Sequence, residues 1–117
     1  MYDRFNHHNL DAFHVARQAL VEGEALAVKL PRGYATLADQ VRRALLHAYL
    51  GVAEAASRAG NDRQARFRAA LGEASEAAAG LEAMAALRLV SEAKVAPVIA
   101  LLGRLCAMLS RLAGPRR

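Results

Sequence analysis

The stretch ADQVRRALLHAYLGVAEA, Ala38 to Ala55, decides the fold. A helix on the surface of a small protein is apolar along one stripe and polar opposite, yet from Ala44 to Ala53 only His47 interrupts the apolar residues. One stripe, Val41, Leu45, Ala48 and Val52, follows spacings of three and four and marks a helix buried against other helices. The remaining Leu46, Tyr49, Leu50 and Ala53 have no place in the core of an isolated bundle. They are expected to bury against a neighbouring subunit, with His47 and Glu54 at or beside that interface.

Outward from this stretch, the chain reads as four helices over about 11–30, 35–59, 62–89 and 92–113. The first carries Phe13, Ala16, Leu20, Gly23, Ala27 and Leu30 as its stripe, ended by Pro31 and Gly33. The second starts at Thr36, with Asp39 completing a capping box, or earlier at Gly33 or Tyr34; its stripe extends from Ala38 through Ala55 to Ala59, and Gly60 stops it. Asn61 or Asp62 caps the third, whose face is Phe67, Leu71, Ala74, Ala78, Leu81 and Ala85. Ser91 caps the fourth, which carries Val95, Val98, Leu102, Leu105, Leu109 and Leu112 before Gly114 and Pro115. Pro97 requires a kink there or a start closer to Ala96. Short connections make this an all-α, up-down-up-down antiparallel four-helix bundle filling one domain, 1–117.

Composition agrees with helices packed through small side chains. Hydrophobic residues make up 55% of the 117, aromatics only 5%, and tryptophan is absent, so a sheet would lack its preferred residues. The single cysteine, Cys106, lies among apolar neighbours and reads as a small core residue. The N-terminus is polar where a signal peptide needs an apolar stretch, and the apolar runs fall short of the roughly twenty residues of a membrane span. A cytoplasmic protein without membrane contact is expected.

Nothing in the sequence points to an enzyme, a metal or a cofactor. The Glu-x-x-His signature of di-iron bundles is missing, His7, His8 and His14 lack a completing ligand set, and no nucleophile motif or phosphate-cradling glycine loop occurs. The basic residues are more informative. Arg42, Arg43, Arg58, Arg63, Arg66 and Arg68 crowd one helix-turn-helix stretch in a chain of net charge +5. Arg63, Arg66 and Arg68 fall near the start of the third helix, against the helix dipole, so something must offset them. Ion pairs are one offset, Arg43 or Arg58 with Glu54, or Arg66 with Glu73; an RNA or DNA backbone is the other.

LADQVRRA (Leu37–Ala44), GVAEA (Gly51–Ala55) and RFRAALGEASEAAAGLEAMAALRLV (Arg66–Val90) resemble the bacterial four helix bundle proteins encoded in intervening sequences of large-subunit ribosomal RNA genes. Leu37, Gln40, Arg43 and Ala44 match the family's first motif, Val52, Ala53 and Glu54 its second, and Ala70, Gly72, Glu76 and Leu81 its third. Gly51, Ala55 and Glu73 depart from it, standing where relatives have Asn, Gly and Ser. The resemblance spans about Leu10 to Leu112, and the fold is also similar to the accessory protein of diversity-generating retroelements, a basic partner of a reverse transcriptase. It implies a ring-like homopentamer without enzymatic activity and with a role in nucleic-acid binding, and it makes Arg43 structural and Arg42 the residue that reaches a partner.

Two functions follow as expectations. In one, the oligomer binds nucleic acid or scaffolds through the six arginines. In the other it is a structural or protein-interaction module whose arginines are only ion-paired.

Overall fold

A computed structural model describes residues 5–115. After a 3₁₀ turn at Asn6–Asn9 the chain forms α1 (Asp11–Ala27), a 3₁₀ turn at Arg32–Tyr34, α2 (Ala35–Ala56), α3 (Gly60–Ala86) and α4 (Glu92–Ala113). α1 packs on α2 and α4, and α3 packs on the same two, so α1 and α3 stand on one diagonal of a square. Contacts run in opposite chain directions between neighbours. Phe13 meets Tyr49 and Gly23 meets Leu45 across α1 and α2; His47 meets Glu73 and Glu54 meets Arg66 across α2 and α3; Arg68 meets Ala113 and Ser75 meets Cys106 across α3 and α4. The result is the antiparallel four-helix bundle that the hydrophobic stripes predict.

Phe67, Leu45, Leu81, Met84, Leu102, Leu105 and Leu109 are the largest fully buried side chains, and no polar or charged residue among those described is buried. The stripe of α3 is turned slightly from the expected one. Ala70, Ala77 and Met84 are buried, whereas Leu71, Ala78 and Ala85 are half-buried at its flank, because α3 packs on both α2 and α4. Small residues set the α2–α3 spacing: Gly51 faces Ala70, and a Cβ at Gly80 would run into the stiff Val41 side chain.

Helix ends depart from expectation for local reasons. α1 stops at Ala27, not near 30, since Leu30 precedes Pro31 and a residue before proline is pushed out of the helical region. α2 begins at Ala35 with Tyr34 before it, so Thr36 lies inside the first turn and its capping box with Asp39 does not form. It stops at Ala56, not near 59, where the Ser57 hydroxyl donates to the Glu54 carbonyl at 2.7 Å. Gly60, at φ 59°, turns the chain so tightly that α3 starts there instead of at 62, leaving Asn61 and Asp62 within its first turn rather than at its cap.

α3 closes at Ala86, not near 89, through a Schellman turn. The Leu89 N–H donates to the Met84 carbonyl and the Arg88 N–H to the Ala85 carbonyl, with Arg88 itself at φ 59°. α4 begins at Glu92 with Ser91 in the N-cap position and runs through Pro97, which is exposed. By length and composition alone α4 is apolar enough to cross a membrane. Its valines and most of its leucines face the bundle core, however, while Ala96, Ala100, Gly103, Arg104 and Arg111 occupy the exposed side.

These local conformations set the sign of three substitutions. Arg88→Gly should stabilise the bundle by about 1 kcal/mol, because glycine adopts the left-handed region without a Cβ penalty. Gly103→Ala, where an added Cβ meets open space, should also stabilise, by about 0.5–1 kcal/mol. Gly80→Ala should instead cost about 1–3 kcal/mol by overpacking against Val41. Urea unfolding followed by circular dichroism reads all three.

Candidate functional site

The antiparallel arrangement sets the start of α3 beside the ends of α2 and α4, and Arg58, Arg63, Arg66 and Arg68 gather there, whereas Arg42 and Arg43 lie in the first half of α2, toward the opposite end, so the six arginines expected as one surface are divided. Arg63 Nη1 donates to the carbonyl of Ala56, the last residue of α2, at 3.3 Å, while its guanidinium lies 5.0 Å over the Phe67 ring. Arg68 Nη2 donates to the carbonyl of Ala113, the last residue of α4, at 3.0 Å. Such terminal carbonyls have no acceptor role left to fill within their own helices, and the negative end of a helix dipole favours a cation. Two of the arginines that oppose the dipole of α3 thus complement those of its neighbours.

The rest of the cluster is held by acids. Glu54 accepts from Arg66 Nη1 at 2.7 Å and from Arg58 Nη2 at 3.4 Å. Asp62, in the first turn of α3, accepts from Arg66 Nε at 3.1 Å and lies 3.9 Å from Arg58 Nε. Arg66 therefore pairs with Glu54 rather than Glu73, which sits 3.5 Å from His47 Nδ1. These groups are partly exposed, so each pair stabilises by at most about 1 kcal/mol.

Arg42, expected to reach a partner, has an intramolecular contact, and Arg43, expected to be structural, has none among the described residues. Arg42 Nε donates to both carboxylate oxygens of Glu24, at 2.9 and 3.1 Å, and that hydrogen bond together with the carboxylate's charge raises its pKa further. Arg43 is exposed and has no ion pair or side-chain hydrogen bond among the described residues. The difference is one helical step of about 100°, which brings Arg42 within reach of the Glu24 carboxylate while Arg43 borders the same α1–α2 groove without an ion pair among the described residues.

The expected interface residues divide in the same way. Leu46 and Leu50 are 43% and 51% exposed on the outer side of α2. Tyr49 is half-buried: its ring lies 4.9 Å from that of Phe13 and packs against the core, which gives it a place in the α1–α2 contact that the sequence reading did not foresee. Ala53 is half-buried, and His47 and Glu54 meet α3 through Glu73 and Arg66. One residue of this surface was missed. Val21 on α1 is 60% exposed and lines, with Leu20 and Leu46, an apolar groove of about 620 Å³ edged by Glu24, Arg42 and Arg43. The signal was present in the spacing of Val21, Ala25 and Val28, a second apolar row beside the core stripe.

The N-terminal histidines serve local structure. The Phe5 N–H donates to His8 Nδ1 at 2.9 Å, His14 Nε2 donates to the His8 carbonyl at 3.0 Å, and the His7 ring lies 4.4 Å from that of Phe13. Among the described residues, no three of His, Cys, Asp and Glu stand together as metal ligands would. Cys106 is half-buried, 3.7 Å from the Ser75 hydroxyl.

If Arg68 acts as a cap for α4, Arg68→Met, which keeps the stem and removes the donor, should lower stability by about 1–2 kcal/mol. Arg43→Met should change it by no more than about 0.5 kcal/mol, as for a surface side chain without partners. Equal effects in chemical denaturation would remove the distinction between the two arginines.

The chain matches no protein-family model and no curated protein.

Proposed function

We propose that this chain is a non-enzymatic, homo-oligomeric four-helix bundle acting as a protein-interaction scaffold, with its arginine cluster committed to ion pairs and helix ends. The observation that carries the reading is a pairing of two surfaces. Arg58, Arg63, Arg66 and Arg68 are engaged within the bundle, while Val21, Leu46 and Leu50 stand exposed beside an apolar groove. Exposed apolar residues grouped in this way mark association surfaces. The resemblance to the intervening-sequence bundle family supports the homo-oligomer, a pentamer in that family, while the nucleic-acid role it implies supports the second reading.

A nucleic-acid-binding reading has its own support in the net charge of +5 and in Arg43, which has no ion pair or side-chain hydrogen bond among the described residues. It ranks second because phosphate contacts by the other arginines would have to displace their present partners.

Native mass measurement tests the choice. Leu46→Asp with Leu50→Asp should reduce the assembly to smaller species at unchanged helix content. In a filter-binding titration, RNA and DNA should bind weakly, with a shallow dependence on salt. Tight binding whose logarithmic salt slope corresponds to about five or more phosphates would favour the nucleic-acid reading instead.

A further inference from the structure

Connections between helices are ordinarily polar, and the two at one end of this bundle are not. The α1–α2 connection reads VKLPRGY, Val28 to Tyr34, and the α3–α4 connection with the first turn of α4 reads LRLVSEAK, Leu87 to Lys94. Val28, Leu87 and Tyr34 are 54%, 51% and 39% exposed. The same segments carry Lys29, Arg32, Arg88 and Lys94, all exposed and without an ion pair or side-chain hydrogen bond among the described residues, against one acid, Glu92. A cleft of about 360 Å³ joins the two connections, walled by Leu26, Leu89 and Val90 and edged by Lys29 and Lys94. At the other end the α2–α3 connection, Ser57 to Ala59, holds no large apolar residue, and its Arg58 is paired with Glu54 and Asp62. Arg88 adds an independent sign. It occupies a left-handed turn at φ 59°, where glycine fits without a Cβ penalty, so the local backbone does not account for an arginine and a use for its side chain does.

We propose that this end of the bundle docks on an anionic lipid surface: Val28, Tyr34 and Leu87 enter the interface, and Lys29, Arg32, Arg88 and Lys94 meet the lipid headgroups. Exposed apolar side chains set among cations suit a bilayer, which offers hydrocarbon directly beneath its negative charge. A nucleic-acid backbone offers the charge alone, and Tyr34 is the one aromatic residue in these connections on which a base could stack. Short apolar runs speak against crossing a bilayer; they do not speak against contact with its surface. The contact uses neither Leu46 nor Leu50, so it stands or falls independently of the α2 surface.

Co-sedimentation of the full chain with lipid vesicles tests the contact. Phosphatidylcholine vesicles containing about 30% phosphatidylserine should bind it about a hundredfold more tightly than phosphatidylcholine alone, and the binding should weaken as ionic strength rises above about 0.1 M. Lys29→Gln with Lys94→Gln should lower binding about twenty-five-fold, about fivefold for each charge removed. Val28→Ser with Leu87→Ser should lower it about tenfold through lost apolar burial. Arg88→Gly, which relieves the backbone and stabilises the bundle, should still weaken binding about fivefold, an effect that a purely structural arginine would not show. Arg104→Gln with Arg111→Gln removes the same charge from exposed positions elsewhere on α4 and should change binding by less than about twofold. All the substituted residues are exposed, and circular dichroism checks that helix content is unchanged. No binding to the anionic vesicles, or an equal loss in the Arg104→Gln/Arg111→Gln control, would overturn the proposal. Displacement by inorganic phosphate at matched ionic strength would reduce the site to one for a free anion, and an RNA that competes with the vesicles and is lost in the same variants would assign this end to nucleic acid; either result rejects the lipid surface.

Discussion

The closing of α3 between α2 and α4 in opposite direction to both is the constraint on which the other features depend. It brings one helix start and two helix ends together at a single end of the bundle. Two sets of terminal carbonyls there need donors, and the sequence places Arg63 and Arg68 within reach of Ala56 and Ala113. In an isolated α3 these arginines would oppose the local dipole. Set against two neighbouring C-termini, they lie in a field that favours them.

The same closure demands that α2 and α3 approach closely. Gly51 against Ala70 and Gly80 against Val41 leave no room for larger side chains, and the alanine-rich face of α3 continues that close contact along its length. Bulk comes instead from Phe67, Leu81 and Met84, which fill the centre together with the leucines of α4. Helices joined through alanine and glycine gain little side-chain volume per contact, so uniform close packing matters more here than any single large residue.

Periodicity made the four helices and their order legible, because spacings of three and four survive small errors in rotation. It did not resolve which side of a stripe faces which neighbour. Tyr49 and Leu50 are adjacent in sequence, yet one packs on Phe13 and the other faces solvent. Arg42 and Arg43 separate for the same reason, with Glu24 eighteen residues away as the deciding partner. Partners such as Glu54 for Arg66 depend on the register between helices, which no local spacing encodes. The end of α3 was hidden by an unusual choice, an arginine at Arg88 where the turn favours glycine.

The arginine cluster also shows why a formal charge is a poor guide to where a basic protein is basic. A count over Arg42 to Arg68 finds a strong excess of cations, but it omits the helix termini. The ends of α2 and α4 each contribute roughly half a negative charge and the start of α3 about half a positive one, so the backbone itself offsets part of the excess. Glu54 and Asp62 offset more through Arg58 and Arg66. Lys29 and Lys94, far apart in sequence and unremarkable in a linear count, line one cleft and have no acid partner among the described residues. Thus the density of basic residues along the chain and the availability of positive charge on the folded surface diverge, and recognition responds to the second.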